Sequence, residues 1–208
     1  EESLGALYRA PVSVPVEFLS GQEDGSLHNL SLPERYVLYH GPCTPPDLIR
    51  VLEIWRWVAG SMGDDFDLLF VGMTGPERDL LSGLSEGSAT AKALPPLSPA
   101  GLAQVYRSSA AVLHAAPLAP WCGALQLGLA SGRPVIALET ALAGALAGPA
   151  AYLVPQAVSE AQLIRAFSAA LLTILVEDEV AAQLSQAASR QAAVWKMDQF
   201  SQRLGEIY

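Results

Sequence analysis

The sequence predicts an α/β protein: a Rossmann-like doubly wound parallel sheet of about six strands with helices on both faces. Short apolar runs alternate along the chain with longer segments whose apolar residues recur at helical spacing. This alternation is typical of parallel strands joined by right-handed helical crossovers. The chain has 208 residues and is 51% hydrophobic, so it contains enough apolar material for a large buried core.

The first strand and helix show the pattern that the rest of the chain repeats. "RYVLYHG" (35–41) is a short apolar run that ends in glycine, as buried strands often do. "PPDLIRVLEIWRWVAGSM" (45–62) follows with apolar residues at helical spacing. Further strands are predicted at 67–72, 91–94, 110–115, 133–138 and 150–154, and helices at 76–84, 98–109 with Ser98 as N-cap, 123–131, a short stretch after 138, 159–176 and 177–193.

The usual strand order of such sheets, 3-2-1-4-5-6, places a topological switch between strands 35–40 and 110–114. Ligands of doubly wound sheets bind outside the carboxyl ends of the strands at this switch. Loops 41–46 and 115–122 are therefore the predicted walls of a cleft. The second loop lies within "HAAPLAPWCGALQLGLASGRPVIAL" (114–138), where the only ionisable side chain between His114 and Arg133 is Cys122.

Charge and composition exclude several classes of function. A net charge of −9 and a pI near 4.7 argue against nucleic-acid binding, which needs clustered Lys and Arg. The chain has no apolar run of the roughly 20 residues that span a bilayer and no signal-peptide pattern, so we expect no membrane span and a cytoplasmic location. Two cysteines do not make a disulfide scaffold. We expect no cofactor and no metal.

Several blocks of the chain resemble, in order and spacing, the retaining GT-B glycosyltransferases of family 4 (group 1). These are "LPERYVLYHG", "LSPAGLAQVYRSSAAVLHAA", "AGPAAYLVP" and, most specifically, "GLASGRPVIAL", which matches the family's "EAMACGTPVVAS". The resemblance implies the C-terminal, donor-binding half of a GT-B fold, with the N-terminal half elsewhere in the full-length protein. It divides the chain into an interdomain segment and linker (1–34), a Rossmann-like domain of the nucleotide-sugar-binding type (35–194) and a closing helix (195–208).

In that family, the donor half binds a nucleotide-diphosphate sugar through a basic clamp after the first strand and an E-x7-E motif. Carried over to this sequence, the clamp falls on Pro46 and Asp47, and the two glutamates fall on Ala119 and Leu127. A diphosphate needs cationic donors and helix N-terminal amides, so Asp47 would repel it. The framework glycines remain, whereas the residues that the reaction needs are replaced.

Six residues are candidates for donor binding. Gly41 and Gly72 follow strands, where they either let backbone amides approach a nucleotide or simply make tight turns. Glu139 ends a strand, where it could touch a ribose or cap the next helix with Thr140. The other three stand where the family presents backbone amides to the donor, although Trp121 could equally fill a vacated pocket: Trp121, Cys122 and Gly123.

Three further groups of residues have a simpler expected role. His40, Cys43, His114 and Cys122 all follow strands at one edge, but their spacing matches no metal pattern, and we expect buried thiols and hydrogen-bonded imidazoles rather than a zinc site or a Cys43–Cys122 disulfide. Arg133 should be a surface or cap residue at the opposite edge of the sheet, and Arg50 and Arg56 should face solvent.

Two functions fit the sequence. In the first, the chain is the donor-binding half of a sugar transferase, with weak or lost binding of a nucleotide-sugar. In the second, it is a glycosyltransferase-like domain kept as an interaction or structural module, without catalysis of its own. The replaced glutamates and clamp residues motivate the second hypothesis. A dehydrogenase is disfavoured because "GPCTPP" stands where G-x-G-x-x-G would be.

Overall fold

The computed structural model describes residues 14–19, 31–85, 90–116 and 123–195. Their six strands form one all-parallel sheet in the order β3-β2-β1-β4-β5-β6, so the predicted fold class and strand order are confirmed. The connections on the two sides of the β1–β4 pair run in opposite directions, which makes this pair the topological switch. The strands are β1 (Tyr36–Tyr39), β2 (Asp67–Phe70), β3 (Ala91–Ala93), β4 (Ala111–His114), β5 (Val135–Leu138) and β6 (Tyr152–Val154).

Helices connect the strands at nearly the predicted positions. A single turn precedes the sheet and packs against helices α4 (Pro99–Ser108) and α5 (Gly123–Ala130), and two 3-10 turns lie at Gly148–Ala150 and Ala193–Trp195. Of the predicted closing segment 195–208, only residue 195 lies within the described residues. The helices are α1 (Val16–Leu19), α2 (Pro45–Met62), α3 (Gly75–Leu84), α4 (Pro99–Ser108), α5 (Gly123–Ala130), α6 (Ala141–Ala147), α7 (Glu160–Val176) and α8 (Asp178–Ala192).

The sheet is buried on both faces because successive strand residues point to opposite sides. In β1, Val37 and Tyr39 belong to one core, whereas Tyr36 and Leu38 belong to the other. The first core is covered by α2, α3 and α7, and the second by α4, α5 and α6. Burial on both faces explains why the strands read as continuous apolar runs rather than as alternating ones.

The segment before the sheet is anchored to α4. Phe18 is 3% exposed, and its ring packs edge to face on Tyr106 with the centroids 5.4 Å apart. Arg107 donates a hydrogen bond from Nη1 to the carbonyl oxygen of Glu17 at 2.7 Å. Residues 14–19, part of the predicted interdomain segment, therefore pack as a component of the second core.

The structure confirms the predicted N-cap of α4 and contradicts the predicted exposure of Arg50. The Ser98 hydroxyl accepts a hydrogen bond from the Gly101 N–H at 3.0 Å, as predicted for the N-cap of α4. Arg56 is exposed, but the prediction that Arg50 faces solvent was wrong, because its side chain is only 11% exposed. The cause is the packing of α2 against α7, which brings Glu160 onto the Arg50 guanidinium.

Within the described ranges, no helix combines the length and apolar character needed to cross a membrane.

A glycine in α5 sets the distance between this helix and the sheet. A Cβ on Gly128 would lie 2.7 Å from Val135 Cγ2 and 3.3 Å from Val112 Cβ. Because β-branched side chains are stiff, neither valine can move away easily. We expect Gly128→Ala to lower the free energy of unfolding in urea by about 1–3 kcal/mol.

Gly60 provides the matched control for this substitution. It is exposed near the end of α2, and a Cβ there would meet nothing within 4 Å. Gly60→Ala should therefore raise the unfolding free energy by about 0.5–1 kcal/mol, through the lost backbone entropy of glycine. Equal stability of the Gly128→Ala variant and the wild type would contradict the close packing of α5.

Candidate functional site

The carboxyl ends of β1 and β4 lie side by side, and this edge is where the fold places a ligand site. Tyr39 of β1 pairs with Leu113 of β4, and the β1 chain then turns through residues 40–44 into α2. Residues 117–122 of the other predicted wall, with the candidates Trp121 and Cys122, lie outside the described residues. Their role stays a prediction.

His40 fills the space beside Gly72, one of the candidate residues. Gly72 has φ +75°, a conformation that favours glycine, and a Cβ on it would lie 2.8 Å from His40 Nε2. The glycine is thus needed both for its backbone conformation and for the close approach of the imidazole. The face of Gly72 that a ligand could approach is, at this point, covered by a side chain of the same protein.

A hydrogen bond links His40 to the buried hydroxyl of α4. His40 Nδ1 and the Tyr106 hydroxyl oxygen are 2.7 Å apart, and the two rings pack edge to face at 5.9 Å. Burial raises the pKa of Tyr106, so its hydroxyl keeps its proton and can donate to Nδ1 of a neutral imidazole. Burial likewise lowers the pKa of His40, which favours that neutral ring.

His114 lies at the end of β4, within electrostatic reach of His40. Its side chain is 4% exposed, and its Nδ1 has no hydrogen-bond partner among the described residues. Burial, and secondly the neighbouring His40, lowers the pKa of His114 to about 4. Both imidazoles are therefore neutral at pH 7, and neither supplies a cation for a phosphate.

At Gly41, in the turn after β1, the side chain of Tyr39 fills the space beside the glycine. The Tyr39 hydroxyl donates to the Pro42 carbonyl at 2.6 Å, and its oxygen lies 2.9 Å from where a Cβ on Gly41 would be. Cys43 is buried and donates through Sγ to the Gly41 carbonyl at 3.4 Å. Burial raises the pKa of this thiol to about 12, so at neutral pH it stays protonated and is not a nucleophile.

The N-terminus of α2 lacks the donors that usually bind phosphate. Pro45 and Pro46 occupy the first two helical positions and have no N–H. The carboxylate of Asp47 stands in the same turn and accepts a hydrogen bond from the Thr44 hydroxyl at 2.5 Å. Two amides that an anion would use are absent, and a negative charge takes their place.

The guanidinium of Arg50, one turn further along α2, is already paired with carboxylates. Arg50 Nη1 lies 3.2 Å from Asp47 Oδ1, and the Arg50 Nε and Nη2 donate to both carboxylate oxygens of Glu160. Glu160 belongs to the first turn of α7, so the pair also ties α2 to α7. A bidentate contact of this kind holds the guanidinium in one orientation.

At three other helices that start near this edge, a side chain of the protein accepts from one of the first backbone N–H groups. In α3, the Glu77 carboxylate accepts from the Thr74 N–H at 2.7 Å and the Thr74 hydroxyl at 2.6 Å, and these bonds lower the pKa of Glu77. The Thr140 hydroxyl caps α6 by accepting from the Ala143 N–H at 3.0 Å. Ser159 caps α7 by accepting from the Gln162 N–H at 3.3 Å.

Helix α5 is the remaining helix whose N-terminus could bind a phosphate, since the residues before it are not described. Its first residue, Gly123, is buried, as are Gln126 and Leu127. Leu127, which stands at the position of the family's second glutamate, packs in the second core at 9% exposure. A carboxylate at that position would be buried among apolar side chains, so this position is unsuited to a glutamate in the present packing.

Glu139 lies at the carboxyl end of β5 and is exposed. Its backbone N–H donates to the Val154 carbonyl at 2.8 Å, and its carboxylate has no hydrogen bond among the described residues. Thr140 alone caps α6, so of the two roles considered for Glu139 the helix cap falls to its neighbour.

The described residues contain no group of three His, Cys, Asp or Glu side chains placed to hold a metal ion. Arg133, at the opposite edge before β5, is partly buried rather than a free surface residue, and its Nε has no partner among the described residues. Neither observation adds a charged group to the carboxyl edge.

Sequence reasoning missed the contact between His40 and Tyr106, which are 66 residues apart in the chain. The available signals were a polar residue directly after a buried strand and a tyrosine near the end of an amphipathic helix. The missed Arg50–Glu160 pair spans 110 residues. In both cases the partners meet only once the strand order is known.

Comparison with known proteins finds similarity in structure alone. The chain matches no family model and no curated protein sequence. It resembles sucrose-phosphate synthase from Thermosynechococcus elongatus with a TM-score of 0.76 and 20% identity, over 96% of this chain and 51% of that one. A glycosyltransferase from Rickettsia africae gives 0.71 and 15%, over 96% and 55%.

The pneumococcal O-GlcNAc transferase GtfA, solved in complex with UDP and GlcNAc, gives a TM-score of 0.69 and 14% identity, over 83% of this chain and 35% of that one. At such identities the likeness shows the fold. The chain spans about half the length of the first of these structures. It therefore has the fold of one Rossmann-like half of a GT-B glycosyltransferase.

The buried histidines predict a loss of stability in mild acid. The folded-state pKa of His114 is lowered to about 4, so below its ordinary value of 6.5 the unfolded chain takes up a proton that the folded chain does not. The unfolding free energy should fall as pH drops from 6.5 towards 4, by up to about 3 kcal/mol from this residue. Urea titrations at several pH values measure it. His114→Leu should flatten this dependence, and an unchanged slope in that variant would contradict the assignment.

Proposed function

We propose that this chain is a glycosyltransferase-like domain that keeps the donor-side architecture of a GT-B enzyme and has no transferase activity of its own. Its role is that of a structural or interaction module beside an N-terminal GT-B half. The observation that carries this proposal is the state of the carboxyl edge. The positions where a nucleotide diphosphate would be held are occupied by prolines, a carboxylate and neutral side chains of the chain itself.

The turn from β1 to α2 supports the proposal most directly. A diphosphate there would meet no N–H from Pro45 or Pro46 and would face the carboxylate of Asp47. At about 4 Å, repulsion between two unit charges amounts to about 1 kcal/mol in bulk water and about 4 kcal/mol near a protein surface. The turn thus opposes the ligand rather than merely lacking contacts with it.

The cations near the edge do not compensate for this loss. Arg50 already has two carboxylate partners, Asp47 and Glu160, and so carries no uncompensated positive charge. His40 and His114 are neutral because burial lowers the pKa of each. A donor diphosphate, which carries several negative charges, would remain without a counter-charge from these groups.

The proposed partner follows from length and fold together. GT-B enzymes have two halves, and this chain covers 51% and 55% of two of its structural neighbours. The remaining half would supply the acceptor side of the fold. In that arrangement, the present domain contributes packing surface, and segment 14–19, held by Phe18 on Tyr106, fixes the entry of the chain into the domain.

The alternative function is weak binding of a nucleotide-sugar, and one feature favours it. The amides at the start of α5 follow β4 at the switch, and no capping residue is described for them. Among the structural neighbours, GtfA was solved with UDP and GlcNAc. In this second proposal, Gly123 and the candidates Trp121 and Cys122 would contact the donor through their backbone.

Calorimetric titration with UDP, GDP and ADP tests the proposed function. We expect no saturable heat up to about 5 mM nucleotide, because the described residues of the turn from β1 to α2 offer a diphosphate no uncompensated cation. Saturable binding by the wild type with Kd below about 1 mM would contradict the proposal and support the donor-binding alternative.

Two variants distinguish a nucleotide site that is intact but blocked by Glu160 from a site that has no binding groups. Glu160→Gln releases one carboxylate from Arg50, and Glu53→Gln removes the same charge from an exposed pair with Arg56 on the same helix. We expect neither variant to bind nucleotide, since the prolines and Asp47 remain. Binding gained by Glu160→Gln but not by Glu53→Gln would show that the site is intact and only covered, contrary to the proposal.

A further inference from the structure

A groove of about 700 Å³ lies at the outer edge of the sheet, between β6 and α8. β6 is the last strand in the sheet order, so this groove is on the flank of the domain rather than at the carboxyl edge. On the strand side, the groove is lined by β6 and the residues that flank it: Pro149, Ala151, Tyr152, Leu153 and Pro155.

The register of β6 shows where the backbone groups of these residues point. The Val154 carbonyl accepts from the Glu139 N–H at 2.8 Å, so Val154 faces β5, as does Tyr152. In a parallel ladder, the residues between them turn their N–H and C=O groups away from the neighbouring strand. Leu153 therefore directs these groups into the groove, and so does Ala151, whose backbone before the strand is also extended (φ −129°, ψ 153°). Among the described residues, neither has a backbone hydrogen bond outside the β5–β6 ladder.

The opposite wall is one face of α8. Residues spaced three and four apart point to the same side of a helix. Val180, Leu184 and Ala187 supply apolar surface, and Gln183, Gln186 and Arg190 supply polar groups. The wall thus combines an apolar strip with side-chain donors beside unpaired strand backbone.

The charge of the groove is unlike that of the whole protein. The chain carries a net charge of −9, yet the groove lining contains no carboxylate and one cation, Arg190. The Arg190 guanidinium donates from Nη2 to the neutral oxygen Oε1 of Gln186 at 3.3 Å. A negatively charged group in the groove would meet one positive charge and no opposing carboxylate of the lining.

The size of the groove matches a short strand. A residue in a packed strand occupies about 160 Å³, from a strand spacing of about 4.8 Å, a sheet spacing of about 10 Å and a rise of about 3.3 Å. The groove therefore holds about four residues, which is close to the length of the 151–155 edge that lines it.

The opposite edge strand, β3, carries an exposed charged residue, whereas β6 does not. Lys92 of β3 is exposed and pairs with Asp67, with Nζ 3.1 Å from Oδ2. Charged side chains, lysine above all, discourage the addition of another strand to an edge. The described part of β6 carries no charged residue, and its Tyr152 is 38% exposed.

We propose that the groove between β6 and α8 binds an extended segment of a partner protein, which adds to β6 as a further parallel or antiparallel strand. The segment has apolar residues at alternate positions, which contact the strip formed by Val180, Leu184 and Ala187, and a carboxylate opposite Arg190. Main-chain hydrogen bonds to Ala151 and Leu153 give affinity, and the pockets for alternate side chains give specificity. This proposal does not depend on the function proposed for the carboxyl edge.

Leu153→Pro tests the backbone contacts. Proline at this position removes an N–H that faces the groove and leaves the β5 ladder intact, so the variant should fold, as its circular dichroism spectrum would show. The probe is a fluorescein-labelled peptide of about six residues with valine at alternate positions, threonine between them and one aspartate. We expect a saturable rise in anisotropy with wild-type Kd below about 1 mM, weakened at least about tenfold by Leu153→Pro.

Arg190→Glu tests the charge and keeps the proposal falsifiable if Leu153→Pro does not fold. This variant should lose the aspartate peptide and prefer the same peptide with lysine in place of aspartate, whereas Arg165→Glu on the exposed face of α7 should change neither preference. Absence of saturable binding by the wild type, or equal binding by wild type and Leu153→Pro, would overturn the proposal. A concentration-dependent dimer that Leu153→Pro abolishes would assign the edge to a second copy of the chain and would also overturn it.

Discussion

The hydrogen bond between His40 Nδ1 and the Tyr106 hydroxyl connects the segments that meet at the switch of the sheet. His40 follows β1, fills the space beside Gly72 after β2 and lies near His114 of β4. Tyr106 belongs to α4 and carries Phe18 of the preceding segment on its other side. Both rings are buried, so the hydrogen bond satisfies His40 Nδ1 and the Tyr106 hydroxyl, which would otherwise be buried without a partner. Among the described residues, this hydrogen bond holds His40 in the space beside Gly72.

In the proposed function, this edge keeps the fold of a donor-binding domain without binding a donor. A doubly wound sheet brings the N-termini of several helices to one side, and their unpaired amides favour anions. In the described part of this chain, two of those amides are absent, at Pro45 and Pro46, and others are satisfied by side chains: Glu77 accepts from the Thr74 N–H, Thr140 from the Ala143 N–H and Ser159 from the Gln162 N–H. Local capping stabilises each helix and leaves fewer free amides for a diphosphate.

The architecture was predictable because its signals are local. Alternating apolar runs and helical periodicity identified six strands, the usual order of doubly wound sheets gave their arrangement, and Ser98 was recognisable as a cap. The sequence also showed that Pro46 and Asp47 stand where the family resemblance would place the cationic clamp. What could not be predicted depends on packing between distant segments: the burial of Arg50 by Glu160, the filling of Gly72 by His40, and the unpaired backbone of β6 beside α8. These contacts need the geometry of neighbouring elements, which no single stretch of sequence contains.

The central claim is that the first turn of α2 no longer accepts a diphosphate. Amide-resolved NMR with inorganic pyrophosphate tests it most directly, because this ligand isolates the diphosphate from base and sugar. The account predicts that the amide signals of Asp47, Leu48 and Arg50 do not shift as pyrophosphate is added to about 10 mM, well above the Kd of a functional site. Saturable shifts of these signals, centred on α2, would contradict it.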